Sequence, residues 1–356
     1  MIKFFRKIRQ NLLSEGKTGK YFKYAVGEIL LVVIGILIAV QLNNHNEKKN
    51  SQNELDQLLI DLTEFMGSQN IILNFQASNI KQKDSILNNL IQNRLKETIL
   101  FTPSQIRQVL FDPTKFPYHP IPSYQMDFSN IINLINRKED FPKIYWSMIY
   151  DLESLKTYSA EIVFLSSKLS ELSTKHLDFL LNNRSHYFES TTLSGKALID
   201  YIMNDPNFEI RISEINEYQK EIISAFERYL FNSTKLNATI KHHINDYNAQ
   251  QIDSLWKEQG AIRFLTKNCN NNTENKFDSF SNSRPRLLVY NAQEKKVKIQ
   301  LYNEYNEILK ESTYNKKGVF AFNLGKTESK VGLRYKIGEK CFTITNPLKN
   351  GYFIFN

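Results

Sequence analysis

Glycine is nearly absent from the middle of this 356-residue chain. Of its 12 glycines, only Gly67 and Gly195 lie between residues 44 and 259, whereas six lie from Gly260 onward. Glycine weakens helices and is common in turns. Its scarcity over such a length, with apolar residues three and four positions apart, therefore predicts long helices. Its return after residue 259 predicts a turn-rich C-terminal part.

Recognisable catalytic and metal-binding motifs are also missing. The six histidines form no HExxH or ExxH pattern, and no GxSxG nucleophile motif is present. His242 and Asp246 are spaced to share a metal, but a solvated polar face is the preferred interpretation. Glu214, Glu217 and Glu221 share one helical face with basic neighbours, which favours exposed ion pairs over a glycosidase pair. We therefore predict no catalytic residues, no metal site and no cofactor.

Cysteine is equally scarce. The chain has only Cys269 and Cys341, without CxxC spacing. If this part of the chain is exported, a disulfide between the two is permitted, and it would join an asparagine-rich linker to a strand.

The longest apolar run is Tyr24 to Leu42, YAVGEILLVVIGILIAVQL. As a helix, 19 residues cover about 28 Å, close to the hydrocarbon thickness of a bilayer. A cleaved signal peptide is the alternative to a retained span. Retention is preferred, because Ala39-Val40-Gln41 leads into Asn43 and Asn44 without a small-x-small cleavage site.

The charges around this run predict its orientation. Residues 1–23 hold seven basic residues and one acidic residue, Glu15. The positive-inside rule then places the N-terminus in the cytoplasm and exports everything after Leu42. For a bacterial protein, this corresponds to a span in the inner membrane and an exported part in the periplasm. In the first thirteen residues, Lys3, Arg6, Lys7 and Arg9 flank an apolar helical face. They either contact anionic membrane lipid or serve only as a basic flank that sets topology.

Glu28 is the one carboxylate in the run. At helical spacing it shares a face with the small residues Gly35 and Ala39. This face could pair with another membrane helix, either from a second copy or from a partner that offers a basic residue. The preferred alternative is that Glu28 reaches the cytoplasmic interface and pairs with Lys20 or Lys23.

Beyond the span, charge is unevenly distributed. Residues 24–259 hold 22 basic and 28 acidic residues, whereas residues 260–356 hold 17 basic and 8 acidic residues. An exported chain without a basic stripe of interleaved aromatics is not expected to bind nucleic acid. The basic C-terminal part is instead expected to meet an anionic envelope polymer or lipid surface, or to dock on the acidic helices.

The patterns together predict a membrane-anchored α+β protein. Apolar spacing predicts helices over Leu55–Ile91, Met126–Arg137, Asp140–Leu181 and Glu209–Ile244, packed as an elongated antiparallel bundle. Alternation predicts seven strands, which form a small antiparallel β-sandwich. The predicted segments are a basic segment over 1–23, a transmembrane helix over 24–42, a helical exported domain over 43–264, a linker over 265–285 and a β-sandwich-like domain over 286–356. The strands begin near residues 287, 297, 307, 319, 331, 341 and 352.

The N-terminal residues resemble a family of bacterial single-pass membrane proteins that is common in flavobacteria and known only as a domain of unknown function. The similar residues are Arg6-Lys7, Lys20 to Tyr24, Gly27-Glu28, Val32 to Gln41 and Asn43-Asn44. A weaker resemblance continues through Tyr145-Trp146 to about residue 245. His45 and Phe128-Ser129-Asn130 depart from the family pattern, and the C-terminal strands look like an appended module. The resemblance implies no catalytic residue.

Two functions fit these features. The preferred one is a non-enzymatic envelope protein in which a helical stalk presents a β-module to a membrane or periplasmic partner. The alternative is an extracytoplasmic sensor subunit, which would signal through a partner's span because 23 cytoplasmic residues hold no output domain.

Overall fold

A computed structural model describes residues 18–94, 129–182, 204–263, 267–268, 286–302, 308–314, 316–323, 334–337, 340–343 and 351–355. The chain divides into two compact units, Met1–Gln57 and Leu58–Asn356. The proline-rich stretch at 103–122, the basic residues Lys3 to Arg9, and Cys269 lie outside the described residues.

Helix α1, Thr18–Arg94, contains the predicted membrane span and the helix predicted after it. Among the described residues, it holds the one helical window long and apolar enough to cross a membrane, and none of that window is buried. From Leu59 onward the same helix has a buried stripe at three- and four-residue spacing, typical of a helix that packs on one side. The stripe consists of Leu59, Leu62, Met66, Asn70, Leu73, Ala77 and Ile80.

The remaining helices are α2 (Ser129–Asn136), α3 (Trp146–Asn182), α4 (Phe208–Ile244) and α5 (Ala249–Glu258). The predicted start of α3 at Asp140 is wrong. Short 3-10 turns occupy Lys138–Asp140 and Lys143–Tyr145, with Phe141 and Pro142 extended between them. A residue before proline avoids helical geometry, so the helix begins only after this break.

Helix α4 lies between α1 and α3 and runs antiparallel to both. Towards α3, Lys235 pairs with Asp151 and Arg228 with Glu161. Towards α1, the side chain of Asn237 bonds the Thr63 carbonyl, and that of Ser233 bonds Asn70. Further along, Glu227 bonds Lys81. In each case the partner's number rises as the number along α4 falls. Helix α4 is thus antiparallel to both neighbours, and the predicted elongated bundle stays a prediction.

Within the described residues, nine short strands form two sheets in the order β1-β9-β3-β6 and β2-β8-β7-β4-β5. All seven predicted strands are present, and β1 and β2 were not predicted. The strands are β1 (Ile262–Arg263), β2 (Lys267–Asn268), β3 (Arg286–Asn291), β4 (Val297–Tyr302), β5 (Ile308–Tyr314), β6 (Gly318–Asn323), β7 (Arg334–Ile337), β8 (Lys340–Thr343) and β9 (Gly351–Phe355).

The first sheet departs from the predicted antiparallel pairing. Strand β9 is parallel to both β1 and β3, and only β3 and β6 are antiparallel within it. The second sheet is antiparallel throughout. The C-terminal strand returns beside β3 instead of forming a hairpin with its sequence neighbour, which produces the parallel pairs.

Apolar side chains cover both faces of the first sheet. Along β3, Leu287 and Val289 join a cluster with side chains of the second sheet, such as Ile299 and Ile337. The alternate residues Leu288 and Tyr290 join a cluster with α4 and α5. This explains why consecutive side chains of β3 are apolar and buried, whereas buried and more exposed side chains alternate along β4.

The helices and sheets therefore share an apolar cluster. Its helical members include Phe231 and Ala238 of α4 and Ile252 and Trp256 of α5. The predicted division into a helical domain over 43–264 and a β-domain over 286–356 stays a prediction. In the described residues the strands pack directly on the helices.

Candidate functional site

The predicted membrane-helix residues lie on an open surface of α1. Gly35 and Ala39 are exposed and Glu28 is half-buried. A methyl group added to Gly35 would meet nothing within 4 Å. Gly35 therefore has open space beside it, and helix pairing stays a prediction. Of the predicted disulfide, Cys341 lies on β8, but the described residues do not include its partner Cys269.

A cluster of aromatic and imidazole side chains forms where α4 ends. Tyr290 of β3 donates its hydroxyl to the Tyr247 carbonyl at 3.2 Å, and its oxygen is 3.3 Å from Nδ1 of His242. The ring of His242 also lies 5.1 Å from that of His243, whose ring is 5.9 Å from Tyr145. Burial lowers the pKa of His243, with a further contribution from His242. Burial also raises the pKa of Tyr290. These contacts attach the first sheet to the end of α4.

His242 is half-buried against Tyr290, whereas the preferred interpretation placed it with Asp246 on a solvated polar face. Asp246 is exposed and adopts a positive φ of 51° in the turn after α4. Among the described residues, no three histidine, cysteine or acidic side chains are grouped as metal ligands. Of the predicted acidic face, Glu217 forms an exposed ion pair with Lys220 at 3.5 Å. This agrees with the interpretation as a surface ion pair.

A second attachment joins β9 to α5. The Tyr352 hydroxyl donates to Oδ1 of Asp253 at 2.7 Å, and Lys257 bonds the other carboxylate oxygen at 2.7 Å. Burial acts to raise the pKa of Asp253, but the hydrogen bonds from Lys257 and Tyr352 outweigh it and lower the pKa. Burial, followed by the hydrogen bond to Asp253, raises the pKa of Tyr352. The pair stabilises the contact between helix and sheet.

Asn291, at the end of β3, holds two loops together. Its side chain is fully buried, and its Nδ2 donates to the carbonyls of Lys295 and Lys316 at 2.9 and 3.1 Å. Its Oδ1 accepts a hydrogen bond from the backbone N–H of Gln293 at 3.1 Å. One asparagine therefore fixes the β3–β4 loop against the β5–β6 turn. Four exposed lysines lie on these two segments, here called the lysine tip: Lys295, Lys296, Lys316 and Lys317.

Sequence reasoning missed the lysine tip. Two Lys-Lys pairs, each in a turn between predicted strands, were visible in the sequence, but nothing local indicated that the turns meet. The strand pairs β3–β6 and β4–β5 place the two turns side by side, with Asn291 opposite Gly318 and Val297 opposite Tyr314, and the long-range bonds of Asn291 join them. A shallow groove of about 270 Å³ also follows α5, lined by Tyr247, Gln250, Gln251, Ser254, Leu255 and Glu258. It is open and carries no buried polar group aimed at a ligand.

Comparison with protein-family models, curated proteins and solved structures produced no match for this chain. The resemblance of the N-terminal residues to the flavobacterial family therefore stays a prediction.

Proposed function

We propose that the chain is a non-enzymatic, membrane-anchored envelope protein whose helical stalk presents a β-sandwich module to a protein or polymer of the cell envelope. One observation carries this proposal. The apolar window of α1 exposes large aliphatic side chains along its whole length, including Ile29 at 64%, Leu31 at 72% and Leu37 at 57%. Soluble proteins rarely expose a continuous apolar surface of this size, and a bilayer would cover it.

The attachment of the sheets to the helices supports the second half of the proposal. The first sheet packs on α4 and α5 through a shared apolar cluster that includes Phe231 and Trp256. Hydrogen bonds from Tyr290 and Tyr352 reinforce the contact. A module held in this way would be carried by the helices and would expose the outer face of its second sheet, which includes Lys298 and Glu311.

Cell fractionation tests the anchor and its orientation. We expect the chain to stay in the inner-membrane fraction after alkaline carbonate washing, because an inserted helix resists extraction. Alkaline phosphatase fused after residue 60 should be active, since the positive-inside rule exports this position. Release by carbonate would overturn the anchor, and an inactive fusion would overturn the orientation.

A sensor subunit is the second candidate, favoured by the continuity of α1. The same helix carries the apolar window and the buried stripe of the body, without a break between Thr18 and Arg94. A ligand that changes the packing of α1 would act on the helix that forms the span. Purification in mild detergent distinguishes the two roles. Co-purification of a histidine kinase favours the sensor, whereas co-purification of cell-wall or outer-membrane components favours the scaffold.

A further inference from the structure

The lysine tip is a concentrated positive surface. Its four ammonium groups lie on two loops that the Asn291 amide holds together through the carbonyls of Lys295 and Lys316. All four side chains are exposed, and within the described part of the chain none of them forms an ion pair. The only acidic residue in these two segments is Glu294. By contrast, nearby Lys298 pairs with Glu311 at 3.0 Å.

The tip lies at a defined end of the second unit. Asn291 follows Tyr290, which bonds the Tyr247 carbonyl just beyond the end of α4. The same end of α4 contacts the first turns of α1 in this unit, where Asn237 bonds Thr63. The lysine tip is therefore at the end of the unit where α1 enters it.

Chain connectivity places a membrane within reach of this end. Only the 15 residues 43–57 lie in sequence between the predicted span and Leu58, where the second unit begins. A surface tethered so closely is present at a high effective concentration, so weak contacts suffice to hold it. An anionic polymer elsewhere in the envelope lacks this advantage.

We propose that the lysine tip binds the anionic headgroups of the membrane in which α1 is anchored. The inference rests on the proposed membrane anchor. Each lysine near an anionic bilayer strengthens association by about fivefold, so four can hold the module against the surface. Such a contact weakens with salt, because the Debye length falls from about 8 Å at physiological ionic strength to about 3 Å at 1 M.

Lysine footprinting on the full chain tests this. The protein is reconstituted into vesicles of phosphatidylcholine alone or with 30 mol% phosphatidylglycerol, and flotation verifies that it is retained. A membrane-impermeant acetylating reagent then labels exposed lysines, which mass spectrometry quantifies. We expect slower labelling of the four tip lysines in the anionic vesicles and equal labelling at 1 M NaCl. Lys168 and Lys175, paired with Glu171 on α3, are the internal controls.

Two matched double variants sharpen the result. Lys316→Gln with Lys317→Gln should weaken surface association by about 25-fold and abolish protection of Lys295 and Lys296. Lys168→Gln with Lys175→Gln changes the net charge equally and should leave that protection intact. Asn291→Ala keeps all four lysines and the flanking strand pairs but removes the bonds that join the two loops, and should reduce protection only in part.

The outcomes separate the two proposals. If the chain does not float with neutral vesicles, the anchor itself fails. If it floats but labelling is the same in neutral and anionic vesicles, the lipid contact is refuted. If soluble polyphosphate protects the tip and anionic lipid does not, the partner is an anionic polymer and the membrane assignment is wrong.

Discussion

The ion pair between Asp151 and Lys235 offers a sharp test of how α3 and α4 are held together. Asp151 is 2% exposed, and Nζ of Lys235 lies 2.8 and 2.9 Å from its two carboxylate oxygens. Lys235→Met keeps most of the side-chain length but removes the charge. Asp151 is then a buried carboxylate without its counter-ion.

Removing one partner of a buried ion pair costs about 3–5 kcal/mol, because the remaining charge is left in a medium that solvates it poorly. For a unit of this size that corresponds to a fall of about 6–20 °C in Tm. Burial already raises the pKa of Asp151, although Lys235 opposes it. A carboxyl group whose pKa is higher in the folded state than in the unfolded state destabilises the protein at pH values above the folded-state pKa. This destabilisation disappears at pH values below the unfolded-state pKa. The loss in Lys235→Met should therefore be large at pH 7 and smaller at pH 4.

Thermal melting of the full chain in nonionic detergent, followed by circular dichroism at 222 nm, measures the effect. Lys168→Met is the control, since its ion pair with Glu171 is exposed, and its Tm should match that of the wild type. Asp151→Leu combined with Lys235→Met should recover most of the loss, because an apolar pair needs no counter-ion. A Tm for Lys235→Met that stays at the wild-type value at pH 7 would refute the buried pair.

Three further predictions concern the span, the helix–sheet contact and the response to acid. Val33→Arg, near the centre of the apolar window, should cost about 2.5–3.5 kcal/mol of insertion and release chain into the carbonate wash, whereas Val33→Leu should not. Trp256→Ala removes a fully buried ring that packs on Tyr352 at 5.0 Å, so unfolding in urea should require about 3–5 kcal/mol less. Burial lowers the pKa of His176 from its ordinary 6.5 to about 3. Because the unfolded chain then binds a proton that the folded chain does not, stability should fall as the pH drops from 6.5 towards 3. The variant His176→Gln should flatten this pH dependence in urea titrations.

Periodicity along the chain predicted the elements well where one face is buried. The helix predicted over Glu209–Ile244 is α4, Phe208–Ile244, because its apolar residues recur at three and four positions throughout. The predicted start of α3 at Asp140 was wrong because of Pro142. Proline is common in the first turn of a helix, but here Phe141 and Pro142 are both extended and the helix begins after them. Helix α5 was missed, although Asn248 and Gln251 form a capping box that the sequence could have indicated.

The candidate site was less accessible to such reasoning. Histidine spacing drew attention to His242 and Asp246, but the ring of His242 lies against Tyr290, which is 48 residues away. The lysine tip likewise depends on Asn291, whose side chain joins two loops about twenty residues apart. Neither contact leaves a local pattern.

The sequence by itself determined an apolar helical window of membrane length, helices with one buried stripe and strands of alternating polarity. These features follow from composition and spacing within a few turns of the chain, so short-range physics suffices to predict them. The tertiary structure alone decided that β9 runs parallel to β3, that the first sheet is buried on both faces, and that four lysines meet at the end where α1 enters. Each of these depends on which distant segments pack together, and burial of apolar surface and satisfaction of buried amides select that arrangement only once the whole chain is folded.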